Sequence, residues 1–148
     1  MRFDRNPVLH YSLAISFAIA VAGCGSGDPD AIKTVVASGT VSFNDKPIEQ
    51  GTIGFIPGKG RPAIGQIKDG AFTLTTYDYG DGAIPGKHRV TVTSVKKEPS
   101  PTGGDDTTVF LIPQRFSIAT ESNVDVEVPP EGNSKIEIKL EERVKRPR

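Results

Sequence analysis

The stretch Ile136-Glu137-Ile138-Lys139-Leu140 alternates apolar and charged residues without a break. Successive side chains of a β-strand point to opposite faces, so a period of two predicts a strand that buries one face and exposes the other. Apolar and polar residues alternate in a similar way upstream in residues 41–43, 53–55, 72–74, 90–93 and 124–128, and residues 64–67 are a further strand candidate before Asp69-Gly70. No segment after Cys24 repeats apolar residues at helical spacing. The chain beyond Cys24 is therefore predicted to be all-β.

Turn-forming residues separate these strands. Asn44-Asp45-Lys46-Pro47 follows the first strand. Asp69-Gly70 lies between two strands, where a tight hairpin requires the positive φ that Gly adopts readily. Residues 96–108 are polar and rich in Pro, Gly and Asp, so we expect a long exposed loop there. About seven short strands in residues 34–140, separated by such turns, predict a β-sandwich of immunoglobulin-like size.

One face of these strands supplies the predicted core. Branched and aromatic residues in alternating positions are typical of strands that pack on a hydrophobic interior. The side chains expected to point inward are Val41, Phe43, Ile53, Phe55, Ile67, Phe72, Leu74, Val90, Val92, Val126, Ile136 and Ile138.

The N-terminal region has the features of a secretory signal. Arg2 and Arg5 precede a short, interrupted apolar segment, which ends in Val21-Ala22-Gly23-Cys24 with the only cysteine of the chain. Basic residues followed by such a segment predict a signal peptide at residues 1–23. Val21-Ala22-Gly23-Cys24 resembles a bacterial lipobox, in which an aliphatic and two small residues precede the lipidated cysteine. We therefore expect Cys24 to be a lipidation site that anchors the protein to a membrane.

Polar segments flank the predicted sandwich. Residues 24–33 combine the lipidated cysteine with a flexible tether rich in Gly, Ser and Asp. Residues 141–148 form a charged tail that we expect to be frayed. By resemblance to the sorting rule of enteric bacteria, Gly25 after the cysteine favours the outer over the inner membrane. The predicted location is the bacterial cell envelope, on the periplasmic side or at the cell surface.

Charge and histidine content exclude several functions. Lys and Arg total 18, as do Asp and Glu, so the formal net charge is zero. Because nucleic-acid binding depends on clustered cations, no nucleic-acid partner is predicted. After the signal peptide the only histidine is His88, which we expect at the surface or at a sheet edge. A zinc site requires three or four ligands. We therefore predict no metal, no cofactor and no catalytic residue.

Several stretches, taken in order, resemble carboxypeptidase regulatory-like (transthyretin-like) domains and the small bacterial lipoproteins built on them. They are residues 39–48, 51–57, 69–76, 85–92, 112–116 and 120–122. The resemblance covers residues 38–140 and implies a prealbumin-like sandwich of seven strands with an accessory, non-catalytic role. Transthyretin-like enzymes that hydrolyse purine derivatives carry a His-and-Arg site and end in Tyr-Arg-Gly-Ser. The present chain departs from both features, which argues against that activity.

Tyr77 and Tyr79 are candidate ligand contacts, because an exposed tyrosine can stack on a sugar ring. The alternative is that one tyrosine packs on the end of the sandwich and the other is exposed. Asp78 and Asp81 are a second candidate, a weak calcium site. Calcium takes 6–8 oxygens, so the alternative is a plain turn.

Lys33 and Asn123 are candidates, by position alone, for the kind of self-made isopeptide bond found in related surface sandwiches. The predicted function is a non-catalytic, lipid-anchored envelope protein whose sandwich is structural or binds a partner. The alternative is a carbohydrate- or peptide-binding accessory module beside a separate hydrolase. In that case Tyr77, Tyr79 and residues 96–108 would form the contact surface. The sequence leaves the identity of a protein or polysaccharide partner open.

Overall fold

A computed structural model describes residues 32–100 and 103–142. Cys24, the predicted signal peptide, residues 24–31 of the tether and residues 143–148 of the tail lie outside the described residues. The described chain forms ten strands. They are β1 (Ala37–Phe43), β2 (Lys46–Pro47), β3 (Gln50–Pro57), β4 (Ala63–Lys68), β5 (Ala71–Thr73), β6 (Gly86–Thr93), β7 (Val95–Glu98), β8 (Thr107–Phe110), β9 (Asp125–Val128) and β10 (Asn133–Leu140).

The strands form one curled sheet and a separate ribbon. Seven strands pair side by side in the order β10-β1-β5-β4-β3-β6-β9, and β2 pairs with the end of β1. All neighbours in this sheet are antiparallel except β1 and β10, which are parallel. The sheet curls so that its apolar face encloses one core. The prediction of an all-β sandwich is therefore confirmed.

The described chain has ten strands rather than the seven predicted. The seven predicted runs correspond to β1, β3, β4, β5, β6, β9 and β10. The additional strands are β2, β7 and β8, and no residue in them is fully buried. A strand that buries neither face shows no alternation of apolar and polar residues, so the sequence pattern gave no sign of them.

Two single helical turns precede β9, although no helix was expected. A 3₁₀ helix spans Gln114–Ser117, and an α-helix, α1, spans Ala119–Ser122. Four residues are too few to display a helical repeat, so periodicity had no means of indicating either turn. No helix within residues 32–100 and 103–142 has the length and apolar character needed to cross a bilayer.

The core largely matches the predicted set. Ten of the twelve predicted inward residues are buried, whereas Phe43 and Val126 are partly buried and pack against the core. Phe55 lies at its centre, with ring centroids 5.9 Å from Phe72 and 5.8 Å from His88. Further buried apolar residues are Ala37, Ile48, Ala63, Ala83, Ile84, Ile112, Phe116, Val128 and Leu140.

Two tight hairpins connect strands that pair with each other. The β4–β5 connection is Asp69-Gly70, with φ of 50° and 78°, and the β1–β2 connection is Asn44-Asp45, with φ of 48° and 62°. Two consecutive residues with positive φ are typical of the type I′ turn, whose twist matches that of paired strands. The predicted Asp69-Gly70 hairpin is confirmed.

The segment predicted as a long exposed loop contains part of a β-ribbon. β7 and β8 pair in antiparallel register, with Val95 opposite Phe110 and Glu98 opposite Thr107. Most side chains of the ribbon are exposed, which agrees with the predicted exposure but corrects the prediction that residues 96–108 lack strands. Backbone hydrogen bonds pair these two strands, and such bonds require no hydrophobic pattern in the sequence.

Candidate functional site

A short loop between β5 and β6, residues 76–82, carries both candidate tyrosines. The Asp81 carboxylate accepts hydrogen bonds from the backbone N–H of Thr76 at 2.7 Å and of Tyr77 at 3.0 Å. It also accepts one from the Thr34 hydroxyl at 3.3 Å. Asp81 therefore fixes the loop by bonding back to the residues that open it, which is the usual role of Asp in a turn.

Further contacts restrict the same loop. The N–H of Gly80 donates to the Thr75 hydroxyl at 3.0 Å, and the Thr76 hydroxyl donates to the carbonyl of Gly82 at 2.8 Å. Gly82 has a φ of 90°, and an added Cβ there would lie 1.9 Å from the Val35 carbonyl oxygen. The loop is thus held by hydrogen bonds and by one close backbone approach that only Gly permits.

The hydrogen bonds of Asp81 change its titration. Partial burial raises the pKa of the Asp81 carboxyl, but hydrogen bonds with the backbone of Thr76, Tyr77 and Asp78 and with the Thr34 hydroxyl outweigh it. The net pKa lies below the usual value for Asp, since hydrogen bonds to a carboxylate stabilise its charged form. Asp81 therefore stays ionised at neutral pH and keeps its acceptors occupied.

Tyr77 is half-buried and holds the entry of the chain into the fold. Its hydroxyl accepts a hydrogen bond from the backbone N–H of Ile32 at 3.1 Å. The guanidinium of Arg61 lies over the ring, with Cζ 5.8 Å from the centroid, a cation–π distance. Because both the hydroxyl and a ring face already have partners, Tyr77 has a structural role at this end of the sandwich.

Tyr79 has a different environment, two residues further along the loop. Its side chain is 100% exposed. It lines an open groove of about 560 Å³ on the outer face of β4 and β5. The other lining residues are Ile64, Gly65, Gln66, Lys68, Asp69, Ala71, Phe72, Thr73 and Thr75. Of the two alternatives for the tyrosines, the structure matches the one in which one packs and the other is exposed.

Sequence reasoning missed the residues of the groove apart from Tyr79. The exposed side chains Ile64, Gln66 and Lys68 occupy alternate positions of β4, opposite in direction to the buried Gly65 and Ile67. The signal was present in the alternation itself, because residues between buried positions must share the outer face. What the sequence did not indicate is that the Tyr79 loop returns to that face.

His88 is buried, which corrects the prediction of a surface or edge histidine. It is 2% exposed and lies on the same face of β6 as Val90 and Val92. Its Nδ1 lies 2.9 Å from the carbonyl oxygen of Gly86. A carbonyl only accepts hydrogen bonds, so Nδ1 carries the proton and Nε2 is a bare acceptor. Nε2 has no hydrogen-bond partner.

The environment of His88 disfavours its charged form. Burial lowers the pKa of the His88 imidazole below its usual value, and the hydrogen bond to the Gly86 carbonyl offsets this only in part. A neutral imidazole in an apolar site with no nucleophile bonded to it has the role of a core residue rather than of a catalytic base. Its position in phase with Val90 was the signal that the sequence analysis overlooked.

Asp78 and Asp81 lie in one turn, in which the N–H of Asp81 donates to the carbonyl of Asp78 at 3.0 Å. Asp78 is exposed, and the Asp81 carboxylate is already used by the loop. In the described part of the chain, no three residues among His, Cys, Asp and Glu are grouped as metal ligands would be. The Asn123 side-chain amide donates to the carbonyl of Glu121 at 3.0 Å, while Lys33 lies exposed near the chain entry. Neither candidate gains support.

A smaller depression of about 250 Å³ lies beside α1 and the end of β10. Arg115 stacks over Phe116 at 4.5 Å and donates to the carbonyl of Glu141 at 2.9 Å. Lys139 pairs with Glu137 at 3.0 Å. Both cations of this depression therefore have partners within the chain.

Comparisons with models of protein families, with curated proteins and with solved structures found no match. The resemblance to carboxypeptidase regulatory-like domains stays a prediction. The groove beside Tyr79 combines an exposed aromatic ring with hydroxyl and amide groups and one opposite pair of charges. Such a surface can bind a ligand by stacking and hydrogen bonding.

Proposed function

We propose that this chain is a non-catalytic, lipid-anchored protein of the bacterial cell envelope, whose β-sandwich serves a structural or binding role. The observation that carries the proposal is the sequence Val21-Ala22-Gly23-Cys24, which places the only cysteine directly after an apolar segment and before a polar tether. A signal peptide followed by a lipidated cysteine explains both features with one processing event. The folded region then begins within a few residues of the tether.

The anchoring is tested by the mass of the mature N-terminus. The full chain is expressed in a bacterial host that processes lipoproteins, and the purified product is analysed by intact mass spectrometry. We expect cleavage before Cys24 and a diacylglyceryl group on its sulfur. Two or more acyl chains give stable membrane binding. The protein should accordingly enter the detergent phase in a phase-partition assay.

Cys24→Ser is the matched control, since it removes the thiol with almost no change in size. We expect this variant to lack the lipid and to remain uncut at this position. A wild-type protein with a free thiol and an intact leader would contradict the proposal. Lipid found equally on Cys24→Ser would show that the attachment point is another residue.

The non-catalytic part of the proposal rests on the environment of the titratable groups. His88 is buried and bonded to the Gly86 carbonyl, and the Asp81 carboxylate is occupied by loop hydrogen bonds. General acid–base catalysis requires a group within reach of substrate, with a pKa near the working pH. We expect no turnover of small esters, amides or glycosides. Turnover that a single side-chain substitution abolishes would contradict this part.

A second candidate is a carbohydrate- or peptide-binding accessory module that acts beside a separate hydrolase. The observation that favours it is Tyr79, a fully exposed aromatic side chain on a loop fixed by hydrogen bonds. Residues 96–108 were predicted to be part of the same contact surface, but none of the described residues in that range lines the groove. Tyr77 is engaged elsewhere, so Tyr79 alone of the proposed contacts is available there.

A further inference from the structure

We infer that the groove formed by the outer face of β4 and β5 and by Tyr79, here named the β4–β5 groove, binds an uncharged oligosaccharide with Tyr79 as its stacking platform. The inference rests on the second candidate function, a binding module, and does not depend on lipid attachment. It assigns the site to a sheet face. It also commits to a glycan rather than a peptide as the occupant.

The first argument is the presentation of Tyr79. Its side chain is fully exposed, so the faces of the ring are accessible to a ligand. The loop that carries it is fixed by the bonds of Asp81 and by the Gly80 N–H, which donates to the Thr75 hydroxyl. Because the loop backbone is already fixed, little backbone entropy is lost when a ligand stacks on the ring that the loop carries. The C–H face of a pyranose is a suitable partner for such a ring.

The second argument concerns the two strands that form the groove. β4 pairs with β3 on one side and with β5 and Thr75 on the other, and β5 pairs with β1 and β4. Neither strand therefore offers a free backbone edge. An extended peptide binds a sheet chiefly by adding a strand to such an edge. Recognition in the β4–β5 groove must instead use side chains, which suits the rings and hydroxyl groups of a sugar.

The third argument is the chemistry of the lining. Gln66 and Thr73 project from the outer face and supply amide and hydroxyl groups that both donate and accept hydrogen bonds. Lys68 and Asp69 are the only charged residues of the lining, and their charges cancel. A neutral surface with donors and acceptors gives no advantage to an anionic polymer. The lining therefore matches an uncharged glycan.

The test uses the full chain, purified from its host in detergent. Chitohexaose, cellohexaose, maltohexaose and laminarihexaose are the neutral probes, and an oligogalacturonate is the anionic probe. Because the chain contains no Trp, its intrinsic fluorescence comes from tyrosine. Binding is measured by tyrosine fluorescence and by isothermal titration. We expect at least one neutral hexaose to bind with micromolar to millimolar affinity, at least tenfold more tightly than the anionic probe.

Variants locate the site. Tyr79→Ala should weaken binding at least tenfold and Tyr79→Phe less than threefold, because the ring rather than the hydroxyl provides the stacking surface. The matched control is Phe110→Ala, which removes an exposed aromatic side chain of β8 outside the groove and should leave affinity unchanged. Gln66→Ala should weaken binding to a smaller extent than Tyr79→Ala.

Several results would overturn the inference. One is that no neutral hexaose binds, and another is that oligogalacturonate binds more tightly than every neutral probe. The others concern the variants: Tyr79→Ala binds as tightly as the wild type, or Phe110→Ala loses as much affinity as Tyr79→Ala. Failure of the non-catalytic proposal is read separately, from cleavage products of the bound hexaose. Failure of the anchoring proposal is read from the N-terminal mass. Neither of those outcomes changes the binding result.

Discussion

The sandwich and the β7–β8 ribbon are both built from antiparallel pairs, yet they differ in what surrounds the pairs. The β3–β6 pair, from Thr52 opposite Thr93 to Pro57 opposite His88, buries one face in the core. The ribbon leaves most of its side chains in water. Both regions satisfy backbone hydrogen bonds in the same way. Only the first is stabilised by burial of apolar surface, at roughly 25 cal/mol per Å².

The comparison shows that the pairing of strands and the alternation of apolar and polar residues in the sequence have different physical causes. Backbone hydrogen bonds exchange with water and contribute only about 0.5–1.5 kcal/mol net each. Burial of alternate side chains both stabilises a strand and produces the sequence alternation. A two-stranded ribbon without a buried face is marginally stable by itself. The ribbon therefore depends on its connection to β6, where the Leu111 N–H donates to the carbonyl of Ser94 at 2.9 Å.

The largest expected difference between the two regions comes from matched Phe→Ala substitutions. Phe55→Ala should lower the free energy of unfolding by about 3–5 kcal/mol, because the fully buried ring leaves a cavity. Phe110→Ala, at 41% exposure, should lower it by less than about 1 kcal/mol. Equilibrium unfolding in urea, followed by far-UV circular dichroism, measures both. If both substitutions lowered the free energy of unfolding equally, the ribbon would be as important to the core as β3, and the distinction between the two regions would be wrong.

A glycine pair tests close packing within the sandwich. A Cβ added at Gly39 of β1 would lie 1.9 Å from the carbonyl oxygen of Ile136 in β10. Gly39→Ala should therefore cost about 1–3 kcal/mol of unfolding free energy, since the two strands must separate locally. Gly58→Ala is the control, because nothing lies within 4 Å of its added Cβ. An unchanged Gly39→Ala protein would show that the parallel β1–β10 pair is looser than described.

The pH dependence of stability should report on His88, and the effect should be smaller than that of either core substitution. Burial holds the pKa of folded His88 below the usual 6.5, so the unfolded chain binds a proton first as pH falls. The free energy of unfolding should therefore decrease as pH is lowered from 7 to 5. The pH range from 5 to 7 lies above the usual Asp pKa of 3.8, and the pKa of Asp81 in the folded chain is lower still. Asp81 therefore does not contribute to the change.

His88→Leu is the control for this measurement, because Leu keeps the apolar packing and removes the titrating nitrogen. Its stability should vary less between pH 5 and 7 than that of the wild type. Urea midpoints measured at several pH values give the comparison directly. If both proteins lose stability in parallel, the pH dependence belongs to other groups.

The smallest expected effect is in the ribbon. Lys96 and Glu98 form an exposed ion pair on β7. Surface pairs of this kind contribute about 0–1 kcal/mol, so Glu98→Gln should change the free energy of unfolding by less than about 0.5 kcal/mol. Hydrogen exchange adds a local measurement, in which ribbon amides should exchange much faster than those of β3 and β6. A loss above 1 kcal/mol would show that the ribbon stabilises the whole fold.

Much of the fold was accessible from the sequence, and little of the candidate site. The alternation and the turn residues located seven strands and most of the core, and Asp69-Gly70 indicated its hairpin. The error at His88 arose because a histidine at a strand start was assigned by chemical type rather than by its phase with Val90. Tyr77 and Tyr79 are the same residue type two positions apart, yet their environments differ. The chain near Ile32 contacts Tyr77, whereas Tyr79 is fully exposed, and nothing local in the sequence distinguishes them.

The sequence by itself determined the all-β class, the positions of the buried strands and the Asp69-Gly70 turn. These follow from local rules, namely a period of two for burial and positive φ for a tight hairpin. The tertiary structure alone decided which strands neighbour one another, that β1 and β10 run parallel, that the ribbon pairs without a core, and that Tyr79 lines a groove on the face of β4 and β5. Those features depend on contacts between residues far apart in the chain, and such contacts leave no periodic trace in the sequence.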